Sequence, residues 1–175
     1  TSPSVSGNPL TDGEVNRHGQ VSAGEDKAGV TAISDALPKS EIADLNISNC
    51  GIGPSALTIV SSTLSTAAVE SVDISGNSQM GAEAGAMLAK VMPDSNIKSF
   101  KFGKSAEIST EKCEATALDF SSQNFGPGEV IVISWWLSTP ATAAVTSVDL
   151  SGNPISAPLY RKNADGQPYK SLGVE

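Results

Sequence analysis

The side chains that could do chemistry are few in this chain. His18 is the only histidine among 175 residues, so a Ser-His-Asp or Cys-His relay has a single candidate base, set in a polar N-terminal stretch with no nucleophile beside it in sequence. Catalysis by that route is not expected. The two cysteines, Cys50 and Cys113, lie too far apart for a zinc signature or a disulfide framework and are expected to be free thiols. No metal or cofactor is expected. Gly103-Lys104-Ser105 has the ending of a phosphate-binding loop, but GxxxxGK[ST] requires a glycine where Lys98 stands, which argues against nucleotide binding. Asn46-Ile47-Ser48 matches a glycosylation sequon, although it falls within an expected strand, where surface loops are the usual acceptors.

Charge and hydropathy narrow the classes further. Nineteen acids against eleven basic residues give a formal charge of -8, the wrong sign for a surface that neutralises nucleic-acid phosphates. No apolar run approaches the roughly 20 residues that span a bilayer, and the opening TSPSVSGNPLTDGEV lacks the basic-then-apolar layout of a signal peptide. A soluble chain without a direct membrane span is expected, its compartment unassigned. Because it lacks an initiator Met and opens inside a repeat, it reads as a processed or incomplete piece of a longer protein, with an organelle as the alternative location after processing.

What must position any binding residues is a repeat. VDISGN at Val72 to Asn77 recurs as VDLSGN at Val148 to Asn153, with looser copies in LNISNC (Leu45 to Cys50), LDFSSQN (Leu118 to Asn124) and VSGN (Val5 to Asn8). The second apolar position of each copy is Val5, Ile47, Ile74, Phe102, Phe120 and Leu150, giving spacings of 42, 27, 28, 18 and 30. Between copies the apolar period changes from 2 to about 3.6, as a strand-then-helix unit requires. Leu57, Val60 and Leu64 share one helical face, leaving Ser61, Ser62 and Thr63 to solvent. Gly24 to Leu37 and Gly81 to Met92 follow the same plan, with Gly29 and Gly85 allowing close helix approach and Pro38 and Pro93 ending the helices.

These residues resemble the leucine-rich repeat strand signature LxxLxLxxN/CxL. Ile42, Leu45, Ile47, Cys50 and Ile52 fill five signature positions; Val69, Val72, Ile74 and Asn77 fill four; Phe125 takes the Ile52 part after Leu118 and Phe120. The chain is similar to the long-repeat, ribonuclease-inhibitor-like subclass, and also to repeats in microalgal and protist proteins. The resemblance implies an α/β solenoid with a curved parallel sheet on its concave side, helices on its convex side, and protein binding as its activity. Residues 1–153 would form the array, about five to six strand units, and residues 154–175 a C-terminal cap or tail, in which two short extended pieces around Asp165-Gly166 fit a hairpin or an irregular cap. Cys50 would take the Asn/Cys ladder position and bond the backbone of its turn.

A second period points to where function could sit. Shifting the chain by 73 places superimposes LNISNCGIGP on LDFSSQNFGP, so departures between the two blocks stand out. One is the insert Gly103 to Ala115, either a surface excursion with a loop or short extra strand, or a recognition loop. The other is the helix after Gly126-Pro127, apolar almost all round. Alignment assigns Val130, Ile133 and Leu137 to its inner face and turns Ile131, Val132, Trp135 and Trp136 to the flanks or outward. There they are either covered by neighbouring helices and by the tail with Tyr160 and Tyr169, or form a docking patch for a protein partner, possibly within a multi-subunit or membrane-associated complex. The concave face would present Asn46, Asp73, Lys101, Asp119 and Asp149, with Ser48, Ser75, Gly103, Ser121 and Ser151 alongside. That acidic stripe is either ordinary solubilising surface or a site for a basic partner or a cation. The expected function is a non-enzymatic protein-binding scaffold, an accessory subunit of a larger assembly. The alternatives are a small-ligand or cation-binding module and a structural fragment of a longer repeat protein.

Overall fold

In the computed structural model, which describes residues 4–18, 20–155, 160–162 and 168–170, the chain is a mixed α/β fold in which short strands alternate with helices. In order these are α1 (Ala28–Ala36), β1 (Asp44–Asn46), α2 (Pro54–Thr63), β2 (Ser71–Asp73), α3 (Ala82–Val91), β3 (Ser99–Phe102), β4 (Ala106–Ser109), β5 (Ala117–Asp119), α4 (Pro127–Leu137), β6 (Ser147–Asp149), β7 (Tyr160–Lys162) and β8 (Pro168–Lys170). The strands are three or four residues long, and Leu45, Val72 and Phe100 are buried at matching register positions of β1, β2 and β3. Proline ends α1 and α3 in a particular way. Each helix stops two residues before it, and Pro38 and Pro93 sit inside the 3-10 turns Leu37–Lys39 and Met92–Asp94, where a missing N–H costs no α-helical bond.

The turn after each strand is held by one side chain. Asn77 Nδ2 donates to Ile47 O (2.9 Å) and Ile74 O (2.8 Å), while its Oδ1 accepts from the N–H of Cys50 (2.8 Å) and of Ile52 (3.1 Å). Asn153 repeats the pattern with Phe120 O, Leu150 O and the N–H of Phe125. A single carboxamide thus satisfies backbone groups of two successive units, each of which would cost about 1–3 kcal/mol if buried unpaired. Cys50 takes this place at the N-terminal end, its thiol lying 3.3 Å from both Val5 O and Ser48 O, which share its single proton. The VSGN copy is indeed stacked there, with Val5 N donating to Asn46 O and Gly7 N to Ser48 O.

The parallel order runs β1-β2-β3 and then breaks. The Gly103 to Ala115 insert supplies a short extra strand, β4, which pairs antiparallel with β3, so that β5 and β6 form a separate parallel pair. β7 and β8 pair antiparallel, matching the expected hairpin arms; the Asp165-Gly166 turn lies outside the described residues. Across the break the helices remain adjacent. A Cβ on Gly85 would fall 2.3 Å from Gly128 O, so α3 and α4 touch through backbone. The core is also continuous: Phe100, Phe102, Phe125, Phe120 and Trp136 form a chain of rings with successive centroids 5.4, 5.2, 5.9 and 6.4 Å apart.

Two expectations about the helices need correcting. Ser61 is buried, not solvent-facing, because its hydroxyl donates to Leu57 O at 2.7 Å and so tolerates the interior. Gly29 makes room for the backbone of Leu10, which a Cβ would meet at 2.8 Å, and not for a neighbouring helix.

Candidate functional site

The two departures from the repeat meet in space. On α4 the buried side chains are Glu129, Val132, Ile133 and Trp136, one stripe at helical spacing. The aligned positions Val130 and Leu137 are only partly covered. Val132, at 0% exposure, and Trp136, at 2%, are therefore core and not docking residues. The insert reaches the core at this point: Ala106 and Ile108 of β4 are buried, and so is the indole of Trp136. Its N–H donates to Ser109 O at 2.7 Å, closing the end of β4 onto α4.

Turning the helix this way leaves Trp135 and Ile131 at the flank, both partly buried. Trp135 forms one wall of an open cleft of about 320 Å³, lined also by Met92, Pro93, Ser95, Ile97, Thr110 and Thr139. The cleft therefore sits at the break, between the 3-10 turn after α3, the start of β3, the end of the insert and α4. Its hydroxyls have spent their protons on backbone carbonyls. Ser95 donates to Met92 O (2.8 Å), Thr110 to Ile97 O (2.6 Å) and Thr139 to Trp136 O (2.7 Å). What remains for a ligand is the Trp135 indole, apolar side chains and oxygen lone pairs.

Glu129 was not anticipated from sequence. It is 3% exposed, with Oε1 accepting from Met80 N (2.6 Å) and Oε2 from Gly126 N (2.9 Å). Burial pushes its carboxyl above the ordinary value, against the pull of the backbone N–H groups of Met80, Glu129 and Gly126. Since Gly128 N donates back to Met80 O at 3.0 Å, the start of α4 is clamped to the turn before α3. The available signal was its place three residues after the N-cap Gly126, where a glutamate returns to the N-cap N–H.

The strand face carries the expected column in register. Asn46, Asp73 and Lys101 are side by side, as are Asp119 and Asp149. The insert adds Glu107, which lies opposite Lys101 and pairs with it at 3.4 Å. The acids are locally engaged: Oδ1 of Asp73, Asp119 and Asp149 accepts the N–H of the serine two residues on. In Asp119 the hydroxyl and N–H of Ser121 hold the carboxyl below its usual range. Among the described residues no group of three His, Cys, Asp or Glu side chains is placed to hold a metal ion.

The remaining candidates do not assemble a reactive site. His18 Nε2 accepts from Arg17 Nε at 3.3 Å in the exposed N-terminal stretch. Cys50 is buried and Cys113 partly buried, both as free thiols. At Gly103-Lys104-Ser105 the amides that would cradle a phosphate are taken, Lys104 N by Gln123 O and Ser105 N by Gln123 Oε1. Among the described residues no helix is long and apolar enough to cross a membrane. In comparison with known proteins, no family model and no curated protein sequence matches the chain.

Proposed function

We propose that the chain is a leucine-rich repeat protein of the ribonuclease-inhibitor-like kind, acting as a non-enzymatic scaffold that docks a protein partner as an accessory subunit of a larger assembly. The repeat reading is supported by the parallel register of β1, β2 and β3 and by the Asn77, Asn153 and Cys50 turn bonds. The docking reading rests on one observation above others: the insert and the altered helix, the places where the repeat departs from itself, converge on the cleft walled by Trp135. A half-buried tryptophan in a concave setting is the kind of anchor that dominates protein interfaces. The concave column is weaker support for a ligand or cation site, since one oxygen of each of Asp73, Asp119 and Asp149 is already engaged by its own turn.

Isolation of the native protein tests the proposal. A partner is expected to co-purify at fixed stoichiometry and to be released by Trp135→Ser, which removes the cleft wall while the fold persists. Trp136→Ser is expected to unfold the chain, costing about 3–5 kcal/mol for the lost ring. A lone monomer in the native extract, or a partner retained by the Trp135 variant, would contradict the docking reading.

A further inference from the structure

The chemistry of the cleft selects among protein ligands. Ser95, Thr110 and Thr139 donate inward to carbonyl oxygens, so toward a ligand they act as acceptors only and call for a ligand rich in donors. Trp135 lines the cleft, and an indole attracts a cation placed over its face. Acids flank the lining residues in sequence: Asp94 stands between Pro93 and Ser95, and Glu111 follows Thr110. Asp94 makes no ion pair among the described residues. Of the lysines nearby in sequence, Lys98 is held by Glu70 at 2.9 Å and Lys112 by Glu114 at 2.8 Å, which leaves Lys90 as the one outside an ion pair among the described residues, against the two acids adjacent to the lining residues. The chain as a whole carries a formal charge of -8, which steers cationic partners toward it.

We propose that the Trp135 cleft receives a basic, extended peptide segment of a partner protein, with an arginine or lysine side chain laid across the indole and its N–H groups on the Thr110 and Thr139 hydroxyls. The Trp135 indole N–H, which has no acceptor among the described residues, is then available to a backbone carbonyl of the same segment. An arginine suits the site better than a lysine, because its planar group stacks on the ring while its edge donates to several oxygens at once. This rests on the docking reading above and narrows it to one class of partner segment.

Calorimetric titration of the full chain with short proline-spaced peptides carrying arginine, citrulline or glutamate at the same positions tests it. Citrulline keeps the shape of arginine, removes the charge and replaces two of its five N–H donors by a carbonyl oxygen. The arginine peptide is expected to bind about tenfold more tightly than the citrulline peptide, and the glutamate peptide not at all. Trp135→Leu should bring the arginine peptide down to the citrulline level, and Trp135→Phe should cost less, with circular dichroism showing that both variants fold. Equal binding of the arginine and citrulline peptides, still dependent on Trp135, would overturn the basic specificity and leave the docking reading standing. Binding that ignores Trp135, no binding of any peptide, or self-association that Trp135→Leu disperses would overturn the proposal; only a native partner also indifferent to Trp135 would take the docking reading with it.

Discussion

At the scale of single residues, neighbouring positions on one helix have opposite fates. Trp136 is enclosed and hydrogen-bonded to the end of β4, while Trp135 walls an open cleft. Residue type alone could not separate them, because α4 is apolar on every side and its periodic signal vanishes. Where the pattern was strict, at Leu57, Val60 and Leu64 or at Asn77, side-chain direction was legible in the sequence. Glu129 was hidden for a different reason: a glutamate is ordinarily read as surface, and only the packing of α4 against the Met80 turn shows it buried. It leads to a prediction with a definite sign. Its folded-state carboxyl titrates above the ordinary 4.5, so between those values the folded chain holds a proton that the unfolded chain has lost. Its contribution to stability is therefore greatest below the unfolded value and declines as pH rises through the folded one. Denaturation midpoints measured across this range should fall with pH more steeply in the wild type than in Glu129→Gln. Parallel curves would contradict the assignment.

At the scale of elements, the insert changes more than its own length. As β4 it pairs with β3, separates β5 from the first sheet, adds buried side chains to the core and accepts the hydrogen bond of the Trp136 indole. Its existence as a departure was readable from the spacing of 18, but Ala106–Ser109 is too short for alternation to distinguish a strand from a loop. The helix layer bridges what the strands do not, and Gly85 against Gly128 is where it does so. Gly85→Ala sets two effects in opposition. Intrinsic helix propensity favours alanine by about 1 kcal/mol, whereas a Cβ would sit 2.3 Å from a backbone oxygen that cannot rotate away, and forcing α3 from α4 costs about 1–3 kcal/mol or more. The steric term is expected to win. A drop in thermal midpoint of about 2–8 °C follows for a chain of this size, and an increase would show that the helices separate freely.

At the scale of the whole molecule, regular units and their exceptions divide the labour. The units around β1 and β2 repeat the same inward residues and turn bonds, which is what a scaffold needs and what a specific site does not. The α/β class and the register of β1, β2 and β3 were legible in the sequence because the strand and helix patterns recur. The split of the sheet and the cleft were not, since each depends on contacts between segments that occur once: β4 with α4, and the 3-10 turn after α3 with Trp135. The most direct test of a docking site built at the break compares Trp135 with its counterpart in the regular unit, Ser62, which is exposed on α2. A photo-reactive phenylalanine analogue, which keeps an aromatic ring at position 135, placed at each position in turn in the native cell should give one adduct of discrete mass at Trp135 and none at Ser62. Equal labelling at both positions, or no adduct at Trp135, would contradict the account.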